Sequence, residues 1–197
     1  MPKSRLFSTK AFILVGVLSS LAACGGGDSD ESTSTKPPVI GQNGAVKVAS
    51  LDLADEQTCG ISNFAGAMLS AVNGARAQAR SCGGAAYGAA PALGWNELLG
   101  QASIEQATSM ATANQLADTG SITDRATRTG YEFQAVGENI AQGYTSVPKL
   151  MEALLASDEH CRKIMSPAAT EMAAACVKAS TGKTYWAQTF AKHTPFE

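Results

Sequence analysis

The stretch "SDEHCRKIMSPAATEMAAAC", residues 157–176, sets a histidine directly against a cysteine and ends in an apolar run. A helix followed by a buried strand fits this pattern, and His160 and Cys161 raise three readings: a Cys–His nucleophile pair, a metal site, or a disulfide beside an unrelated histidine. A catalytic pair needs the thiolate within hydrogen-bond reach of the imidazole. Neighbouring residues on a helix point about 100° apart, so adjacency in sequence argues against the pair.

Downstream, "AAACVKAS" (173–180) and "TYWAQTF" (184–190) read as two strands joined by the turn "STGK". Tyr185, Ala187 and Thr189 should face one way, and Trp186, Gln188 and Phe190 the other. Upstream, Phe64, Met68 and Val72 recur every four residues, which predicts a helix over 63–80 with Ser62 as its cap. A second helix is expected over 95–115 and a third from Ser146, with Pro148 in its first turn. The stretch between, "ADTGSITDRATRTGYEF" (117–133), reads as a polar loop. Helices first and a hairpin last imply an α+β sandwich.

The first 23 residues read as a signal peptide: Lys3, Arg5 and Lys10 precede the apolar run Ala11 to Ala23. "LAAC" (21–24) resembles the lipobox of bacterial lipoproteins, which implies cleavage before Cys24 and a lipid anchor on it. Several acyl chains would hold the protein on a membrane where one alone is marginal. Gly25 follows the cysteine, which in that resemblance implies outer-membrane sorting. Residues 24–56, rich in Gly, Ser, Thr and Asp, read as a flexible acidic tether reaching roughly 30 Å. Without the leader the charge is seventeen acids against twelve bases, and from Gln57 to Glu197 it is eleven against ten. Such a balance gives no basic face for nucleic acid. About 140 residues suits one domain, read as a monomer. Apart from Cys24 there are four cysteines, Cys59, Cys82, Cys161 and Cys176, an even number that suits disulfides in an exported chain, with three pairings open.

Five blocks in order, "ALGWNELLGQA" (92–102), "NQLADTGS" (114–121), "GYEFQAVGENIAQGY" (130–144), residues 157–176 and "YWAQTF" (185–190), resemble the CAP superfamily. That group joins cysteine-rich secretory proteins, antigen 5 and plant pathogenesis-related 1 proteins, also called SCP domains; the likeness is to secreted bacterial members. It implies a three-layer α-β-α sandwich stapled by disulfides over 57–197. It also implies a cleft lined by two histidines and acidic residues, where some members bind zinc or magnesium. Carried over, the cleft residues are Glu138 from G-E-N-I, His160 from the S-P-G-H-C block, and Asp118, which stands where the family has a second histidine. Further departures are Leu154 for a tryptophan, Asp158 and Glu159 for Pro-Gly, and Ala173 and Ala191 for glycines. One nitrogen and two carboxylates make a weak donor set, suited to Mg²⁺, Ca²⁺ or Mn²⁺ more than Zn²⁺, or to no ion at all, so the metal site reads as degenerate. The resemblance also implies Cys161–Cys176 and Cys59–Cys82 as the disulfides. It favours a binding module for a small lipid or protein ligand. The alternatives are a metal-assisted hydrolase using His160 and Glu138 as catalytic acid and base, and a non-catalytic surface scaffold.

Overall fold

A computed structural model describes residues 45–48 and 51–194. The leader, the Cys24 anchor and most of the tether lie outside the described residues. In chain order the elements are β1 (Ala45–Val46), α1 (Asp55–Thr58), α2 (Phe64–Arg76), β2 (Arg80–Cys82), β3 (Ala85–Tyr87), β4 (Gly94–Asn96), α3 (Glu97–Ala113), α4 (Ile122–Arg128), β5 (Phe133–Gln142), α5 (Val147–Ala156), α6 (Asp158–Ile164), β6 (Glu171–Lys178) and β7 (Thr184–His193). Five strands form one sheet in the order β1-β4-β6-β7-β5, with β4 and β6 parallel and the other pairs antiparallel.

The alternation expected for β7 holds and builds the layers. Thr189, Ala187 and Tyr185 face α3: the Ser103 and Thr189 hydroxyls lie 2.8 Å apart, Ala107 packs with Ala187, and Met110 with Tyr185. Trp186 and Gln188 face the opposite layer. The Phe64 and Trp186 rings stack at 5.8 Å, and Gln188 Nε2 lies 3.1 Å from the Met68 sulfur and 3.4 Å from that of Met151. Helix α3 therefore covers one face and α2 with α5 the other, the α-β-α sandwich that the family resemblance implied.

Local chemistry fixes the ends of these elements. The Asn96 side chain accepts from the Leu98 and Leu99 amides and so starts α3, two residues later than expected, because Trp95 belongs to β4. Pro148 sits in the first turn of α5, whose buried face is Val147, Leu150, Met151 and Leu154. Helix α2 ends at Arg76, short of the expected residue 80, because Arg80–Cys82 pairs with β3 as a small hairpin. The domain also begins before residue 57. Strand β1 pairs with β4, and Val48, Leu51 and Leu53 pack against the core, so apolar residues at the end of the expected tether belong to the fold.

Arg76 is fully buried, and among the described residues it pairs with no acid. Its Nε donates to Pro91 O (2.8 Å), its Nη1 to Ile164 O (2.7 Å) and Ser166 O (2.8 Å), and its Nη2 to Ala169 O (3.3 Å). One side chain thereby satisfies the irregular segment that carries the chain from α6 into β6. A second buried group works alongside it. The Glu171 carboxylate accepts from Tyr131 Oη at 2.6 Å and from Asn96 Nδ2 at 3.1 Å. Burial, then this bond, raises the Tyr131 pKa.

The disulfides differ from those the family likeness implied. Cys59 joins Cys176, and Cys82 joins Cys161. Each of the four cysteines is thereby bonded across the fold, which leaves neither expected pair. Instead the Cys59 amide donates to Cys176 O at 2.9 Å, laying the end of α1 along β6, while α6 packs on β2. The cross-links span 117 and 79 residues, so each restrains the unfolded chain far more than the two short loops expected.

Two predictions follow from this packing. Proteolysis without reduction should release Cys59 with Cys176 and Cys82 with Cys161, and replacing either pair by serine should lower stability by about 4 kcal/mol in urea; peptides linking Cys161 to Cys176 would contradict the fold. Arg76→Met should cost at least about 3 kcal/mol in the same assay, since it strands several buried carbonyls, whereas the exposed Arg162→Met should change little.

Candidate functional site

Strand β5 is an edge of the sheet, and its register divides the expected cleft residues between two faces. Glu138 stands opposite Thr189 and so lies on the α3 face; Asn139 stands opposite Gln188 and lies on the α2–α5 face. Over the α3 face comes α4, which the sequence pattern read as loop. Ser121 caps it by accepting from the Thr123 amide, and its buried residues are Arg125 and Ala126. A short helix whose inward side chain is an arginine has no apolar period to reveal it. The Ser121 cap was the legible signal.

Arg125 is 1% exposed and organises this face. Its Nη2 donates to Glu138 Oε2 at 2.6 Å, its Nη1 donates to Thr119 O and Gly120 O at 3.0 Å each, and Asp118 Oδ1 lies 3.8 Å from Nη2. Gly120, at φ +82°, takes the turn that brings both carbonyls to one guanidinium. The buried Gln106 of α3 holds the other side of this segment, accepting from the Thr119 hydroxyl at 2.6 Å and donating to Ala117 O at 2.8 Å. The Asp118 carboxylate itself is 70% exposed. Burial pushes the Glu138 carboxyl up and Arg125 pulls it back, leaving its pKa at about 7.

His160 reaches the same edge from the other layer. Helix α6 is laced to β5 by Asn139 Nδ2 donating to His160 O (3.3 Å) and by Lys163 Nζ donating to Glu138 O (2.8 Å). The lysine thereby takes up an outward carbonyl on the open strand edge. The half-buried imidazole lines a cavity of about 290 Å³ with Leu116, Ile140, Tyr144, Leu154 and Ser157. Burial, then the nearby Lys163 cation, lowers its pKa, so it is neutral at physiological pH. Cys161, its neighbour, is spent in the disulfide with Cys82, so the nucleophile reading of residues 157–165 falls.

Of the three residues carried over, the structure joins Asp118 and Glu138 through Arg125 and leaves His160 with the apolar cavity. Sequence reasoning missed Arg125, Gln106 and Leu116. Among the described residues no three His, Cys, Asp or Glu side chains stand together as a metal-binding group. The divalent ion that the family likeness implied does not fit these side chains. Between its two carboxylates a guanidinium is already fixed, and at about 4 Å with an effective dielectric near 20 a doubly charged ion would repel it by about 8 kcal/mol.

Comparison with known proteins places this architecture. The chain is similar to an outer surface protein of Borrelia burgdorferi (16% identity, TM-score 0.50), with 53% of this chain and 80% of that one covered. It is also similar to an extracellular SCP-domain protein of Bacillus anthracis (21% identity, TM-score 0.46), covering 52% of this chain and 34% of that protein's own length. A venom allergen-like protein of Schistosoma mansoni matches at 16% identity and TM-score 0.46, over 73% of this chain and 92% of that one. No curated protein is a significant sequence match. The model of the cysteine-rich secretory protein family matches residues 69–190, more than half of the 197 residues. On that match, the chain belongs to the cysteine-rich secretory protein (CAP) family.

Proposed function

We propose that this protein is a binding module, exported and held at the bacterial envelope by a lipid on Cys24, whose cavity at the β5 edge takes a small apolar ligand with one polar group. The observation that carries this reading is the cavity itself. Its walls are Leu116, Ile140, Leu154 and Tyr144, and at its side stands the neutral imidazole of His160, able to donate or accept one hydrogen bond. Leu116, 40% exposed, is the one large apolar side chain left open to solvent among the described residues, and it lies at this cavity. Two long-range disulfides suit an oxidising compartment, and among the described residues no helix is long and apolar enough to cross a membrane. A partner protein's apolar side chain could fill the same space; the small ligand is preferred because the lining is mainly apolar, with the few polar side chains Gln142, Ser157 and His160 among it.

The hydrolase reading has one observation in its favour, a Glu138 carboxyl that exchanges its proton near neutrality. Against it, Glu138 is committed to Arg125, while His160 lies with the layer beyond the strand and the neighbouring thiol is oxidised.

The test uses N-phenyl-1-naphthylamine, a neutral apolar fluorophore with one N–H. Its emission should saturate with the wild-type protein, and His160→Ala and Leu116→Asp should each weaken binding about tenfold, a loss of 1.4 kcal/mol, with an unchanged melting temperature. Equal affinity in all three proteins would remove the cavity from consideration. A pH prediction concerns Glu138. Its folded pKa of about 7 exceeds the ordinary 4.5, so the fold holds this proton more tightly than the unfolded chain does. Its contribution is full below about pH 4.5 and is lost as pH rises to about 7, on the order of 3 kcal/mol over that window. Stability of the wild type relative to Glu138→Gln should therefore fall between pH 5 and pH 8; a difference that stays flat would place the carboxyl at its ordinary value.

A further inference from the structure

We propose that the guanidinium of Arg125 is the resident cation of this site, doing permanently what the family's divalent ion does elsewhere, so that the domain folds and binds independently of metal. The inference concerns the α3 side of β5 and stands apart from the ligand reading of the His160 cavity. Its basis is the oxygen set around one side chain. Glu138 Oε2, Thr119 O and Gly120 O lie within 3.0 Å of the terminal nitrogens, and Asp118 Oδ1 completes the set at 3.8 Å. Carboxylates and backbone carbonyls are the donors that a hard divalent cation takes. Here they surround a charge that is covalently part of the chain and cannot be lost to a chelator or to acid.

Charge balance points the same way. The buried members of the group are Arg125 and Glu138, one of each sign, and Asp118 is solvated. A divalent ion has no uncompensated buried charge to answer. Two explanations of poor metal binding can therefore be separated: either the histidine replaced by Asp118 is the missing element, or the guanidinium is the barrier. The structure assigns the barrier to Arg125, since its guanidinium already holds Glu138 Oε2 and the Thr119 and Gly120 carbonyls.

The experiment is a calorimetric titration of the folded protein with Zn²⁺ and with Mn²⁺ at pH 7.5, on wild type, Asp118→His and Arg125→Gln, with melting temperatures in metal and in EDTA. Wild type should show no saturable binding below about 1 mM and the same melting temperature in EDTA as in metal. Asp118→His changes an exposed side chain, should fold normally, and should still bind no Zn²⁺ in the micromolar range. Arg125→Gln should gain at least tenfold in Mn²⁺ affinity, lost again when Glu138→Gln is added. Micromolar Zn²⁺ binding by Asp118→His alone would overturn the proposal, because a nitrogen ligand would then have sufficed beside the arginine. So would micromolar binding by wild type that Glu138→Gln abolishes, or a folded Arg125→Gln with no gain. Should Arg125→Gln prove too unstable to titrate, the wild-type and Asp118→His titrations decide by themselves.

Discussion

A buried cation held by backbone carbonyls is the constraint on which this fold turns. Arg76 stands at the end of α2 and gives its donors to carbonyls of residues 91, 164, 166 and 169, segments that are loop or helix end and have no ladder to satisfy them. An unpaired peptide group in such a place costs as much as a lost hydrogen bond. Burial lowers the pKa of the guanidinium but leaves it charged. Its carbonyl partners do what a carboxylate would do without fixing a second charge in the core. Because the same contacts set the path from α6 into β6, they also set where His160 meets β5 and where Glu171 meets Tyr131 and Asn96.

Legibility in the sequence followed apolar pattern. The alternation of β7, the four-residue recurrence of α2 and the Pro148 start of α5 were readable because each buries a stripe of apolar side chains. The GENI strand was not assigned as a strand, and its exposed and half-buried residues explain why: β5 is an edge, with little apolar alternation to see. Helix α4 escaped for a related reason, since its inward residue is charged. The cysteine pairing was open in principle. The family resemblance implied two short loops, whereas the bonds that form close over 117 and 79 residues.

The candidate site was legible as residue identities and not as a geometry. Asp118, Glu138 and His160 were singled out by family likeness; Glu138 belongs to β5, the His160 carbonyl is tied to it by Asn139, and Asp118 reaches it only by way of Arg125. What no motif carries is that a strand has two faces. The one-residue step from Glu138 to Asn139 sends neighbouring side chains into different layers, so the Arg125 group and the His160 helix approach β5 from opposite layers and meet only at its edge, where Ile140 of the Glu138 face lines the His160 cavity.

That separation explains how the two halves coexist at one strand edge. On the α3 side charge is neutralised internally, by Arg125 against Glu138. On the other side Lys163 is held by the Glu138 carbonyl and the Glu159 carboxylate, and its nearness helps keep His160 uncharged. Residue 138 is therefore bound twice, its carboxylate to a cation on one side and its backbone carbonyl to a cation on the other. Neither cation is free to meet a ligand as a bare charge. The cavity beside His160 is left as a mainly apolar space with uncharged hydrogen-bonding groups, Gln142, Ser157 and His160, so selectivity there comes from shape and a few neutral polar contacts. A charged ligand would have to be desolvated with no buried partner waiting for it, at a cost that an apolar one does not meet.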